Sequence, residues 1–361
     1  MSRPDIAVVG SGPAGCVIAW HLATAGADVV LVDDGRRPWA PVGQQLSSVA
    51  LRVLRTMGVA GRLAAITAPV AEARSAWADT TLVHRPALFN PYGPPLAVSR
   101  STFDGVLQDA ARDAGARMLR AHIKAVPGPG GWRLAVRAPQ PRTAHRPALP
   151  PASSPPDAGG PIPVLIDATG AARAISRGRL RWVCADRLRC SAWRLPPRHP
   201  EPFCWTLVEA DAPGWWYSAP EPGARKLTVI HARKHPTRTI GSGPPQPPPH
   251  TAARLGTRRL PRPGTERVAD IGSADPPWAD RLLAVGDAAM ALDPLSASGL
   301  RHALELAGPA ATAAIALLDD DTRPAAAYAE LVRTAYTRHL GKRQLLHAAA
   351  ALAETKPPAR P

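Results

Sequence analysis

An α/β fold is predicted, in which a parallel-sheet nucleotide-binding domain carries an inserted sheet-based domain and ends in a C-terminal helical segment. Three observations carry this reading. The first 33 residues read as strand, glycine triplet, helix, strand and acid; a later strand runs into Gly286-Asp287; and a tryptophan-rich stretch of short strand patterns lies between them.

Ile6 to Val9 is a short apolar run rich in β-branched residues and reads as a buried strand. Gly10, Gly12 and Gly15 follow at the spacing G-x-G-x-x-G. Gly10 makes the tight turn, Gly12 lets the backbone approach a diphosphate, and Gly15 lets the next helix pack close to the sheet. That helix, from about Ala14 after Pro13 to Ala25, aims its free amides and positive dipole end at the diphosphate. Gly26 ends it. A second strand, Val29 to Val32, delivers Asp33, whose carboxylate accepts hydrogen bonds from an adenosine ribose. The first domain is therefore expected to be Rossmann-like, with three ββα layers, and to hold a dinucleotide.

A helix from about Ser48 to Thr56 and a second short helical segment come next. Alternating, turn-rich patterns over 69–96 predict strands outside the nucleotide domain. SRSTFDGVLQDAARDAG predicts a helix with Ser101 as N-cap and Gly115 as its end. Residues 119–136 read as two strands joined at Pro127 to Gly131, and 138–163 is a proline-dense surface insertion too poor in large apolar residues to order itself. Val164 to Ala168 resumes the strand pattern and ends in D-A-T-G. Trp182, Trp193, Trp205, Trp215 and Trp216 then gather among strand patterns, interrupted by GSGPPQPPPH, which reads as a second flexible loop. The strand before Asp287, a loop from Pro294 to Gly299, an Ala-rich helix from about Leu300 to Leu318 and two further helical stretches complete the chain. Residues 1–68, 97–180 and 276–361 are assigned to the nucleotide domain, and 69–96 and 181–275 to the second domain.

The formal charge of +16 invites a nucleic-acid reading, but only five of the 44 basic residues are lysine and the arginines are scattered. No helix-turn-helix, zinc-finger or RNA-recognition pattern gathers them, so no nucleic-acid partner is expected. Cys16, Cys184, Cys190 and Cys204 form no C-x-x-C and lie near no paired histidines, which excludes a zinc site or disulfide framework and fits a reducing cytoplasm. The apolar run Ala310 to Leu318 is too short to span a bilayer, and, with the first strand beginning at residue 5 and no charged, apolar, small-residue pattern before it, no secretory signal is expected. The sequence sets no oligomeric state.

The segment LLAVGDAAMALDPLSASGL chooses the dinucleotide. Asp287, after Gly286, supplies an acceptor for ribityl hydroxyls; Pro294 stands seven residues on, and Gly299 opens a helix aimed at the pyrimidine end of a flavin, where the reduced ring holds negative charge. FAD is therefore expected. No histidine or cysteine is placed for a covalent link, so it is expected to be non-covalent.

With these residues the sequence resembles the FAD-dependent monooxygenases of the p-hydroxybenzoate-hydroxylase type, whose G-x-G-x-x-G, D-A-T-G and GD-x6-P-x4-G elements stand here at Gly10 to Gly15, Asp167 to Gly170 and Gly286 to Gly299. The resemblance assigns Arg100 to the arginine that reaches FAD. VEADAPGWWYSAPEPG and DPLSASGL resemble the tryptophan-halogenase-like branch, especially the LodB/GoxB-type flavoproteins that mature tryptophan-derived quinone cofactors in partner oxidases. The halogenase W-x-W-x-I-P motif is replaced by Trp215 to Pro220, and no lysine precedes Lys124, so the resemblance points to oxygenation and not to halogen transfer.

The resemblance implies that a flavin C4a-hydroperoxide hydroxylates an aromatic substrate, with NAD(P)H or another flavin reductant as external electron donor. It names a small aromatic molecule or a tryptophan-bearing protein as substrate. Trp215, Trp216 and Tyr217 are candidates for the substrate face, since broad π surfaces suit a planar ligand, and Gln44 and Gln45 for the isoalloxazine edge. His231 reads as an interior histidine. The arginines between 173 and 189 are candidates for holding an anionic reductant or partner. Two other classes stay open: an FAD-dependent reductase of the geranylgeranyl-reductase type, and a non-catalytic flavin-fold binding protein.

Overall fold

The structure, a computed structural model, describes residues 3–35, 43–137, 160–201, 203–211, 214–222, 226–235 and 245–354. The chain opens with β1 (Ile6–Val9), α1 (Pro13–Thr24), β2 (Val29–Asp33), β3 (Gly43–Leu46), α2 (Ala50–Thr56), α3 (Ala60–Ala64) and β4 (Thr67–Pro69). Then come β5 (Glu72–Ala76), β6 (Val83–Pro86), β7 (Leu96–Ser99), α4 (Arg100–Asp113), β8 (Arg117–Arg120), β9 (His122–Gly128), β10 (Gly131–Arg137) and β11 (Val164–Asp167). The long sheet strands are β12 (Trp182–Leu195), β13 (Trp205–Asp211), β14 (Gly214–Pro220), β15 (Leu227–Lys234) and, after α5 (Pro249–Leu255), β16 (Thr265–Ala274). The chain closes with β17 (Trp278–Ala279), β18 (Leu282–Ala284), β19 (Met290–Ala291), α6 (Gly299–Glu305), α7 (Ala307–Ala316) and α8 (Arg323–Glu354).

The nucleotide domain is built on a six-stranded sheet ordered β17-β18-β11-β1-β2-β8, parallel except at β17. Its central strands are continuous apolar runs because helices and a second layer cover both faces: every residue of β1 and β11 is buried. α1 crosses from β1 to β2, and Gly26, at φ +87°, turns the chain out of it. Since β1 lies between β2 and β11, its carboxyl end is the switch point of the sheet, where an open α/β sheet leaves a crevice.

The second domain is an eight-stranded sheet ordered β19-β16-β12-β15-β14-β13-β5-β6, antiparallel except where β13 meets β5. Its inner face, with Leu188, Cys190, Trp215, Ala232 and Ile271, joins the same core as α1 and β1. The outer face forms a separate cluster of Trp193, Trp216, Leu227, Val229 and Leu255. Leu255 belongs to α5, which starts inside the segment read as a flexible loop. Glu209 of β13 accepts hydrogen bonds from the amides of His250 and Thr251 at 2.9 and 2.7 Å, so a strand distant in sequence caps this helix.

Three other expectations change. Ser99, not Ser101, precedes the first turn of α4. The Ala-rich helix is divided at Leu306 into α6 and α7, and the last two helical stretches are one continuous helix, α8. Most of the proline-dense insertion, residues 138–159, lies outside the described residues.

α8 binds the two domains together. Ala325, Tyr328, Val332, Tyr336 and His339 are buried along one helical stripe. The Tyr328 hydroxyl donates to the Ala284 carbonyl in the nucleotide sheet at 2.9 Å, and the Arg343 guanidinium reaches Asp186 of β12 at 2.6 Å. Trp77 donates its indole N–H to the Leu346 carbonyl at 2.7 Å.

Gly15→Ala tests the close packing of α1. A Cβ there would stand 1.8 Å from the Gly10 carbonyl oxygen, so backbone must move. We expect a loss of about 1 to 3 kcal/mol or more, read as a lower denaturation midpoint.

Candidate functional site

The glycine loop is shaped by backbone contact. Gly10 has φ +109°, and a Cβ on it would meet the Ala168 carbonyl oxygen at 2.3 Å. The space beside Gly12 is open for 4 Å, which leaves room for a diphosphate at the start of α1, where Pro13 occupies the first turn. Gln108 of α4 donates to the Ser11 carbonyl and hydroxyl at 3.3 and 3.1 Å and fixes the loop. Asp167, fully buried, accepts from the amides of Thr169, Ile175 and Ser176, which secures the turn under Gly10. Asp33 ends β2 beside this loop and accepts from the Gly35 amide at 2.9 Å.

The second motif touches the first. Gly286 has φ +58°, and a Cβ on it would come within 2.7 Å of the Ala14 side chain. The Asp287 carboxylate lies 3.9 Å from where a Gly299 Cβ would stand, at the first turn of α6, and has no hydrogen-bond partner among the described residues. Burial pushes its pKa up, against the opposing pull of Arg267 and Arg100. Arg100 pairs with Asp104 at 3.0 Å and donates to Gln44 at 3.1 Å, so it ties α4 to β3. An open diphosphate cradle, Asp33, and a half-buried carboxylate with no hydrogen-bond partner among the described residues together fit a flavin dinucleotide.

Next to this motif lies a cavity of about 370 Å³. It is bounded by residues 45–49, by 90–95, by the loop from Asp293 to His302 and by one face of α8. Gln45 lines it. Asp293, 1% exposed, accepts from the Leu295 amide at 3.0 Å and from the Arg343 side chain at 2.9 Å. Burial alone would raise Asp293; the His347 ring, the Arg343 guanidinium and the Leu295 amide outweigh it and hold the carboxyl below its usual range.

Trp215, Trp216 and Tyr217 do not border this cavity. Strand alternation sends Trp215 and Tyr217 to the inner face of the sheet and Trp216 to the outer one. The expected place of Trp216 at the substrate face is thereby corrected: it stacks on Trp193 and His231, with ring centroids 5.7 and 4.4 Å away, and donates to Asp211 at 2.9 Å. Trp215 is buried on the inner face, and its indole nitrogen has no partner. Burial drives the His231 pKa down to about 4, as an interior histidine requires. The arginines of the 173–189 stretch are largely committed within the protein: Arg173 and Arg187 pair with Asp270 at 3.2 and 3.1 Å, and Arg181 with Asp275 at 2.9 Å.

Residues 3–125 match the family described as the FAD binding domain. Over 133 residues, 33% of this chain, it is 29% identical to a menaquinone reductase of Mycolicibacterium smegmatis, and over 117 residues, 32% of this chain, 35% identical to a menaquinone reductase of Mycobacterium tuberculosis. These matches span 29% and 28% of the relatives' own lengths. Solved structures share the whole fold. A triple mutant of the flavin-dependent brominase Bmp2 has a TM-score of 0.76 at 18% identity, covering 97% of this chain and 90% of that one. The peptidyl tryptophan dihydroxylase QhpG gives 0.69 at 20% identity, with 98% and 77% covered, and the flavin-dependent halogenase CmlS 0.71 at 20%, with 99% and 66%. The fold is thus the mixed α/β FAD-binding fold of flavin-dependent halogenases and hydroxylases.

Sequence reasoning passed over Gln108 and the cavity wall on α8. Arg338, His339, Lys342 and Arg343 share one face of that helix, a polar stripe in an Ala-rich segment that helical spacing would have exposed.

Two outcomes follow from this geometry. Asp33→Ala should weaken FAD binding roughly 10-fold to 150-fold, the worth of about 1.5 to 3 kcal/mol for a hydrogen bond to a charged group, measured by flavin titration of the apoprotein. His231 binds its proton less readily folded than unfolded, so its contribution to stability is full above about pH 6.5 and is lost as pH falls from there toward 4. Denaturant titrations at pH 7 and pH 5 should differ by about 2 kcal/mol from this residue, and His231→Gln should reduce the difference.

Proposed function

We propose that the protein is an FAD-dependent monooxygenase that hydroxylates an aromatic ring. The observation that carries this reading is the cavity against the loop from Asp293 to His302, which continues directly from Asp287 and the first turn of α6. FAD, when bound, supplies electron transfer and oxygen activation. The chain supplies the rest. The glycine-loop amides and Asp33 hold the adenosine half, Asp287 accepts from the ribityl hydroxyls, and Arg100 with Gln44 stiffens the wall beside the ring. Gln45 orients the substrate from the cavity floor, while the face of α8 closes the far side and excludes water. NAD(P)H or another flavin reductant is the external donor.

The cavity volume falls among small-molecule sites, which favours a free aromatic compound as substrate. The fold likeness to QhpG, named a peptidyl tryptophan dihydroxylase, supports a second reading in which the ring is a tryptophan of a partner oxidase. The partial match to proteins named menaquinone reductases supports a third, an FAD-dependent reductase.

Purified protein should be yellow, and with NAD(P)H or chemically reduced flavin, oxygen and candidate aromatics it should give products heavier by one or two oxygen atoms in mass spectra. A colourless protein that cannot be reconstituted with FAD would refute the reading. Gain of two hydrogens without oxygen would move it to the reductase class.

A further inference from the structure

The cavity is charged in one sense. Helices α6 and α8 present Arg301, His302, Arg338, His339, Lys342 and Arg343 to it, and among the described residues of its lining Asp293 is the only acidic side chain. Asp293 is already answered: Arg343 bridges it to Asp186, with separations of 2.9 and 2.6 Å. Burial lowers the pKa of both histidines. His339 uses Nε2 to accept the Asp293 amide at 3.1 Å, and burial, reinforced by neighbouring cations, pushes His302 down to about 4.

Two cations are left over, and a third is only loosely opposed. Arg301 contacts the His302 ring at 3.1 Å and stands 3.8 Å from Glu305, which lies outside the lining. Among the described residues, Arg338 and Lys342 make no hydrogen bond or ion pair. They stand four residues apart on α8, so their side chains reach the same edge of the cavity. The other wall is different in kind. Val49, Tyr92, Pro95 and Leu295 give it an apolar surface suited to a flat ring.

We propose that this cavity binds a small aromatic acid, its ring against Tyr92, Pro95 and Leu295 and its anionic group held by Arg301, Arg338 and Lys342. The inference rests on the monooxygenase reading only for calling that acid the substrate; the binding itself stands on the cavity. Surface cations bind anions weakly in water, but a shared cavity with no competing free carboxylate focuses their field on one ligand group.

The test uses the full-length, FAD-loaded protein and paired probes: indole-3-acetate against indole-3-acetamide, and phenylacetate against phenylacetamide, with binding measured by calorimetry. Each acid should bind at least 10-fold more tightly than its amide, and added salt should narrow the gap. Arg338→Gln with Lys342→Gln, and separately Arg301→Gln, should weaken acid binding about 10-fold to 100-fold without changing amide binding, flavin content or melting temperature. Arg333→Gln, on another face of α8 and paired with Glu330, should leave binding unchanged. Equal affinity for acid and amide, insensitivity to the three cation variants, or tight binding only by a tryptophan peptide would overturn the proposal. Oxygenation of a neutral aromatic with no preference for the acid would overturn it while leaving the monooxygenase reading intact; tight acid binding by a protein that cannot take up FAD would do the reverse.

Discussion

Three stretches of backbone meet at one point with no room for side chains between them, and the rest of the molecule is arranged around that contact. Gly10 turns against Ala168, Gly15 against the Gly10 carbonyl, and Gly286 against Ala14, with hypothetical Cβ separations of 2.3, 1.8 and 2.7 Å. Atoms this close cannot be accommodated by moving a flexible side chain, since at Gly10 and Gly15 the opposing atoms are themselves backbone. The convergence brings the glycine loop, the D-A-T-G turn and the Gly286-Asp287 turn to one crevice although they are separated by most of the chain. The glycine loop and the Gly286-Asp287 turn are therefore parts of one packing arrangement. Loss of any of these glycines should disturb both.

The second constraint is the long C-terminal helix. Parallel-sheet nucleotide domains and antiparallel sheets can each fold around a core of their own, but here the inner face of the eight-stranded sheet shares its core with α1 and β1. α8 holds that junction by a hydrogen bond from Tyr328 to the nucleotide sheet and an ion pair from Arg343 to β12. The same helix forms a cavity wall. Joining the two sheets and shaping the cavity are thus done by one element, whose register along the junction fixes which of its residues face the cavity.

The strand, glycine turn and helix at the start of the chain and the mixed α/β class were legible because the constraints behind them act over a few residues. A positive φ or a close helix–strand approach restricts a position to glycine wherever the chain later goes. α5 was not legible for the opposite reason. Its prolines suggest a loop, and the group that satisfies its first amides is Glu209, more than forty residues earlier and on another strand. The phase of β14 was hidden in the same way: Gly-Trp-Trp-Tyr does not say which tryptophan faces the nucleotide domain until its pairing with Ala232 and His231 is known. The cations of α8 were visible in sequence, but what they face is set by the tertiary junction.

That junction also changes how the net charge of +16 reads. Many arginines serve internal architecture: Arg254, nearly buried, is held by Glu201 at 2.7 Å and lies 3.6 Å from the centre of the Trp205 ring, and Arg173 pairs with Asp270 while stacking 3.8 Å from Trp182. Such pairs fix loops and strand edges and contribute little to the outward field, because each charge is opposed at contact distance. An excess of positive charge matters for recognition where opposition is absent and water is restricted. Among the described cavities, the one beside the Asp293 to His302 loop joins Arg338, Lys342 and Arg301, whose partner Glu305 stands 3.8 Å away outside the lining, to a single carboxylate already paired with Arg343. The composition is therefore better read through this local imbalance than through a search for a polyanion, and it is on this imbalance that the proposed selection for an acidic group rests.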